Sequence, residues 1–121
     1  MSWIEQTRSI LSVLKFSANI SHYWKRCEAP ADQLPDQFIV YFAVDDPGTS
    51  WADGKETSHQ TRVQVSFFFR NKADYLTIPA QIEAAFHSGC GFTRAGENDL
   101  PYQEDTGHYG WYLDMYYYEH R

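Results

Sequence analysis

The chain has few cysteines and no long apolar run. Its 121 residues contain only Cys27 and Cys90, too few for a disulfide framework, so we expect two reduced thiols in a chain that folds in the cytosol. No apolar stretch approaches the ~20 residues that a membrane-spanning helix needs. The first residues also lack the basic start and apolar core of a signal peptide. We therefore expect no membrane partner.

Basic residues are scarce relative to acids. The chain has ten Lys and Arg against sixteen Asp and Glu, which gives a net charge of −6 at pH 7. A protein that binds the nucleic-acid backbone needs basic residues clustered on one face, so this balance argues against that class. The acids concentrate after residue 71, and we predict that Glu97, Asp99, Glu104 and Asp105 belong to one polar, acidic loop.

Sequence motifs for catalysis and metal binding are also missing. The five histidines lack zinc-type spacing, no Ser lies in a Gly-x-Ser-x-Gly elbow, and no glycine-rich loop carries the Lys of a phosphate cradle. Cys90 follows a predicted helix C-terminus, where the helix dipole opposes a thiolate. A calcium loop from Asp45 to Glu56 would lack most internal side-chain ligands, so turn and capping roles are favoured for its carboxylates.

Aromatic residues, in contrast, are abundant: four Trp, nine Tyr and eight Phe make up 17% of the chain. They are densest in residues 108–119, where strict alternation predicts a long final strand. Half of its side chains must face away from the helices, and Tyr is enriched at protein–protein interfaces because it combines a large apolar body with a polar tip. Tyr112, Tyr116 and Tyr118 are therefore candidate interface residues. A lightly amphipathic outer sheet face is the plainer alternative.

A second candidate contact lies in the predicted polar loop of residues 45–59. This loop carries Trp51 and the turn signal Asp53-Gly54. Trp is a favoured hot-spot residue at interfaces, so we include Trp51 and the neighbouring Asp53 among the interface candidates.

Hydrophobic periodicity predicts the element order helix, strand, strand, helix, short strand, strand. The helices are expected over residues 3–16 and, after a start at 77–79, over about eleven residues before Gly89. The strands are expected at residues 38–44, 61–70, 92–94 and 108–119, with irregular connections at 17–37, 45–59, 71–76 and 95–107. Helices and strands do not alternate, so we expect one α+β domain over residues 1–121. Its fold would be a small antiparallel or mixed sheet of three to four strands with two helices packed on it.

Several short segments together resemble a known family. In chain order they are residues 38–42 (FIVYF), 45–47 (DDP), 51–56 (WADGKE), 61–66 (TRVQVS), 91–94 (GFTR) and 102–109 (YQEDTGHY). Their order and spacing across residues 37–119 resemble the tail-completion proteins, also called tail-terminator or head-to-tail joining proteins, of long-tailed bacteriophages and prophages.

The resemblance implies a structural role without catalytic residues or cofactor. Members of this family form a ring, usually a hexamer, at the head-proximal end of the tail tube, where the ring stops tube growth and joins the tail to the head connector. The implied partners are other copies of the chain, the major tail tube protein, the head connector or head-closure protein, and DNA that passes without specific binding. The implied location is the virion tail, and the host cytoplasm before assembly.

A second hypothesis comes from a different functional class. The chain would then be a small soluble α+β domain that binds or hydrolyses a ligand in an aromatic-lined pocket. This hypothesis predicts a deep cavity with convergent polar groups and a titratable residue of shifted pKa.

Overall fold

A computed structural model of the chain describes residues 3–13, 20–25, 27, 29, 33–45, 48–52, 55–86 and 91–120, with the backbone alone at residues 13, 45, 48–52, 55–60 and 118–120. The elements, in chain order, are α1 (Trp3–Val13), β1 (Ser21–Trp24), β2 (Gln37–Asp45), β3 (Gly48–Ala52), β4 (Lys55–Phe69), a 3₁₀ helix (Lys72–Leu76), α2 (Ile78–Ala85), β5 (Phe92–Gln103) and β6 (His108–His120).

The sheet is mixed and larger than predicted. Five strands lie in the order β1-β2-β4-β6-β5, and β3 pairs with β4 as a sixth. The pairing of β1 with β2 is parallel and the other pairings are antiparallel. The prediction of an α+β fold is confirmed, but the expected count of three to four strands is wrong. The missed strands are β1, which is four residues long, and β3, whose sequence is polar and turn-rich.

Strand β4 shows the alternation that the sequence predicts. Thr61, Val63, Val65 and Phe67 are fully buried, and Phe69 is 3% exposed, so this face of the strand lies in the core. Burying one such apolar side chain stabilises the fold by about 1.5–3 kcal/mol. The same core includes alternate residues of β2 and β6, whose registers place them beside these positions.

Both helices pack on this one sheet face. Ile10 and Leu11 of α1 and Ile78 and Ile82 of α2 are buried in a single cluster with the inward residues of β2, β4, β5 and β6. Pro79 stands in the first turn of α2, as predicted, where its missing N–H has no hydrogen bond to lose. Helix α2 ends at Ala85 with Phe86 as its C-cap, so the expected length of about eleven residues is wrong. Gly89 and the predicted end of α1 after Val13 lie outside the described residues.

Residues 92–103 form one long edge strand, so the predicted strand at 92–94 is confirmed, but the irregular connection predicted to follow it is wrong for residues 95–103. Almost every residue of β5 is exposed, which removes the apolar alternation by which a strand is recognised in a sequence. Backbone pairing with β6 holds the segment extended instead, with irregularities at Arg94/Gly96 and Leu100/Gln103. The acidic residues Glu97 and Asp99 therefore lie on a strand and not in a loop.

Arg70 joins three segments at the end of β4. Its guanidinium donates to the Leu34 carbonyl, to the Asp36 carboxylate and to the Thr106 carbonyl.

Residues 71–76, predicted as a linker, contain the 3₁₀ helix, which begins with the Asn71 side chain accepting from the Ala73 N–H. No helix among the described residues is long and apolar enough to cross a membrane.

Candidate interaction surfaces

The sheet face opposite the helices is the first candidate surface, and we call it the outer face. Its side chains come from Phe38, Val40, Phe42, Arg62, Gln64, Ser66, Phe68, Tyr112, Asp114 and Tyr116, which alternate along β2, β4 and β6 with the core residues. Neither described helix contributes to this face. Tyr112 and Tyr116 lie here and are partly exposed, so their predicted orientation away from the helices is confirmed.

A charge pair stands between the two tyrosines. Arg62 Nη2 donates to Asp114 Oδ2 at 2.7 Å, and Asp114 is 7% exposed in the middle of the face. The hydrogen bond to Asp114, and then its negative charge, raises the pKa of Arg62. Asp114 Oδ1 and Arg62 Nε are both buried and have no hydrogen-bond partner. The pair therefore fixes a charged group on this face, and the part of it that another molecule can reach is the Arg62 side chain, which is 40% exposed.

One end of the outer face is closed by ring contacts. Phe38 stacks on Phe68 at a centroid distance of 5.0 Å and meets the His108 ring edge-on at 5.1 Å. His108 Nε2 lies 2.9 Å from the Pro35 carbonyl oxygen and must donate to it, because a carbonyl only accepts. The connection before β2 therefore covers this end, and the part that remains open is the part around Tyr112 and Tyr116.

The second candidate surface is a hairpin arm, formed by residues 48–52 of β3 and 55–60 of β4. Along β4, β3 follows β2 as the neighbouring strand: Asp45 of β2 pairs with Arg62, and Gly48 of β3 pairs with His59. The last pair, Ala52 with Lys55, leaves two residues, Asp53 and Gly54, between the strands. The prediction of a polar loop over residues 45–59 is thus wrong for the described part, which is an extended hairpin.

The arm runs past the rest of the sheet. Pairing of β5 with β6 ends at Phe92 and Tyr117, and Tyr117 lies opposite Thr61 of β4. From Thr61 to Lys55 the strand continues for six residues, about 20 Å at the usual rise. Only β3 and the last residues of β6 accompany it there.

The structure gives the backbone position of two further interface candidates. Trp51 pairs with Glu56 in the arm, and Tyr118 pairs with Gln60 at its base. The side chains of both, and the whole of Asp53, lie outside the described residues.

The four acidic candidates are separated into two pairs. Glu104 and Asp105 are exposed in the turn between β5 and β6, whereas Glu97 and Asp99 project from β5 towards the helix side, beside Leu113 and Trp111. They do not form the single acidic loop that the sequence predicts, because β5 is long enough to carry the first two away from the turn.

Glu97 meets a second carboxylate, Glu83 of α2. Arg94 lies between them, with its Nε 2.6 Å from Glu83 Oε1 and its Nη2 3.8 Å from Glu97 Oε1. Burial, followed by the hydrogen bond and the like charge of Glu83, raises the pKa of Glu97. This contact fastens β5 to α2. Within the described residues, no three His, Cys, Asp or Glu side chains converge as a metal site.

A cavity of about 310 Å³ lies beside the 3₁₀ helix, away from the tyrosines of the outer face. It is lined by Phe69, Lys72, Tyr75, Asp99, Leu100, Tyr109 and Gly110. It is shallower than the deep pocket of the ligand-binding hypothesis, but it does bring aromatic and charged groups together.

Sequence reasoning missed Arg62, Asp114, Lys72, Tyr75 and Tyr109 as site residues. Asp114 offered a signal, because it is the one acid within the aromatic alternation of residues 111–118. Its pairing with Arg62 depends on the register between β4 and β6, which no local pattern specifies.

Comparison with known proteins gives no relative. No protein-family model matches the chain, and no curated protein matches it significantly.

Proposed function

We propose that the chain is a non-enzymatic structural subunit that associates with copies of itself into a ring, in the manner of the tail-terminator proteins that its sequence resembles. The ring, a hexamer in that family, would sit at the head-proximal end of a phage or prophage tail. There it would end growth of the tail tube, join the head connector and let DNA pass. Before assembly the subunit would be in the host cytoplasm.

The hairpin arm carries this proposal. A two-stranded ribbon is marginally stable in water by itself, and the last two residues of the β4 side of the arm, Lys55 and Glu56, pair with β3 alone. The arm runs about 20 Å beyond the pairing of β5 with β6, and its end has no third strand beside it, so it gains stability when it lies against another molecule. Its natural acceptor is a second subunit, because a ring requires two different patches that meet head to tail.

The outer face supplies a suitable second patch. Tyr112 and Tyr116 are of a residue type that anchors interfaces. The Arg62–Asp114 ion pair lies between them, and its Arg62 side chain is 40% exposed. An acceptor of the neighbouring subunit that meets the exposed part of Arg62 would add a hydrogen bond to a charged group, which contributes more than a neutral one. The net charge of −6 also suits a ring through which DNA passes without binding.

The first experiment measures the oligomeric state of the full chain. We expect size-exclusion chromatography with light scattering to give, at high concentration, one species whose mass is a whole multiple of 14.1 kDa. Negative-stain images should show a closed ring. A chain that remains monomeric at every concentration reached would overturn self-assembly.

A substitution in the arm tests the contact itself. We expect Trp51→Glu to abolish the oligomer and to leave the circular dichroism spectrum of the monomer unchanged, since a charge in an interface core opposes burial. Trp24→Glu is the matched control, because Trp24 is 41% exposed on the edge strand β1, which does not pair with the arm. Retention of the oligomer by Trp51→Glu would remove the arm from the interface.

A further inference from the structure

The cavity beside the 3₁₀ helix has aromatic walls. The rings of Phe69 and Tyr109 stack with centroids 5.7 Å apart, and the Tyr75 ring lies 6.1 Å from Phe69. Phe69 is 3% exposed and forms the floor, whereas Tyr75 is 43% exposed and forms a wall that solvent reaches. A volume of about 310 Å³ is at the lower end of the range for ligand pockets, so the space suits one or two fused rings.

The two charged groups at the cavity, Asp99 and Lys72, differ in the contacts that they already make. The Asp99 carboxylate accepts a hydrogen bond from Tyr75, and that bond is the main reason why the pKa of Tyr75 is raised. The Lys72 ammonium lies 5.5 Å from the centre of the Tyr109 ring, in a cation–π contact. No carboxylate among the described residues pairs with Lys72. Asp99 keeps its negative charge in that hydrogen bond, whereas the Lys72 ammonium has no hydrogen-bond or ion-pair partner among the described residues and is the group left to pair with a charged ligand.

We propose that this cavity binds a small aromatic carboxylate, whose ring lies among Phe69, Tyr75 and Tyr109 and whose carboxylate pairs with Lys72. Offset or edge-to-face contact with three rings holds the planar part. The Lys72 ammonium, which lies over the Tyr109 ring, forms an ion pair with the carboxylate of the ligand. An aromatic amine of the same shape has only Asp99 to pair with, whose carboxylate already accepts from Tyr75, and it meets the positive charge of Lys72, so it is disfavoured. This binding is independent of ring assembly, because none of the lining residues belongs to the arm or to the open part of the outer face.

The test uses indole-3-acetate as the probe, tryptamine as the matched amine, and the full chain labelled with ¹⁵N. We expect indole-3-acetate to shift the amide signals of residues 69, 72, 75 and 109–110 with a Kd on the order of 1 mM, as suits a fragment of this size. Tryptamine should bind at least about tenfold more weakly. Equal binding of the two probes, or shifts confined to other residues, would overturn the proposal.

Substitution of the lysine tests the charge contact. Lys72→Met keeps the apolar stem and removes the ammonium, so we expect it to weaken indole-3-acetate binding about tenfold and to leave tryptamine binding no weaker. Lys25→Met is the control, because the Lys25 ammonium lies 4.7 Å from the Trp24 ring in a similar contact outside the cavity. If Lys72→Met binds indole-3-acetate as the unchanged protein does, the carboxylate does not pair with Lys72.

Discussion

At the scale of single residues, the Arg62–Asp114 pair differs from the other ion pairs because one partner is buried. Asp114 has an 11% exposed side chain, whereas Arg94 and Glu83 are 50% and 36% exposed. A carboxylate that loses its only hydrogen bond in a buried position costs more than one that water can reach. The same 2.6–2.7 Å separation therefore has different consequences at the two sites.

This difference predicts the effect of removing each arginine. We expect Arg62→Met to lower the free energy of unfolding by about 1–3 kcal/mol, because Asp114 is left without a partner. Arg94→Met, which also deletes a guanidinium from an ion pair, should lower it by less than about 1 kcal/mol. Urea unfolding of the two variants measures both values. Equal effects would mean that water reaches Asp114 freely.

At the scale of elements, the contact between β5 and β6 depends on one glycine. A Cβ at Gly110 would lie 2.8 Å from the Leu100 Cβ and 3.3 Å from the Phe68 ring, both attached to neighbouring strands. A Cβ at Gly96, on β5 itself, would meet nothing within 4 Å. The two strand glycines thus have different reasons to be there: the first allows close packing, and the second has no steric requirement.

The same substitution at these glycines should act in opposite directions. We expect Gly110→Ala to destabilise by about 1–3 kcal/mol through overpacking, and Gly96→Ala to be neutral or stabilising by up to about 1 kcal/mol, since alanine loses less backbone freedom in a strand. Thermal unfolding followed by circular dichroism gives both changes. A stable Gly110→Ala variant would show that β5 can move away from β6 at little cost.

The sequence predicted those elements whose burial follows a simple period. The alternation of β4 and β6 is visible because one face is apolar, and α1 and α2 follow their apolar spacing, with Pro79 in the first turn of α2. The strands β1 and β3, and β5 beyond residue 94, were missed because backbone pairing with a neighbour, and not side-chain burial, keeps them extended. The candidate sites divide in the same way. The outward orientation of Tyr112 and Tyr116 could be predicted from the alternation of β6, whereas Lys72, Tyr75 and Asp99 are brought together only by tertiary contacts.

At the scale of the whole molecule, charge opposes the proposed assembly. Six chains of net charge −6 carry −36 in one ring, and four exposed acids of each chain lie on β5 and the following turn. Like charges at this density repel one another over the Debye length, which is about 30 Å at 0.01 M salt and about 8 Å at 0.15 M. The attractive part of the interface must therefore come from short-range contacts such as aromatic burial and hydrogen bonds.

This balance predicts that salt strengthens association. We expect sedimentation analysis to show more oligomer at about 0.5 M NaCl than at about 0.01 M, because screening removes repulsion and leaves short-range contacts intact. The double variant Glu104→Lys, Asp105→Lys changes two exposed turn residues and brings the chain from −6 to −2. It should associate more readily at low salt and respond less to added salt. Association that weakens with salt would instead mean that complementary charges hold the subunits together, and the aromatic outer face would then be a minor part of the contact.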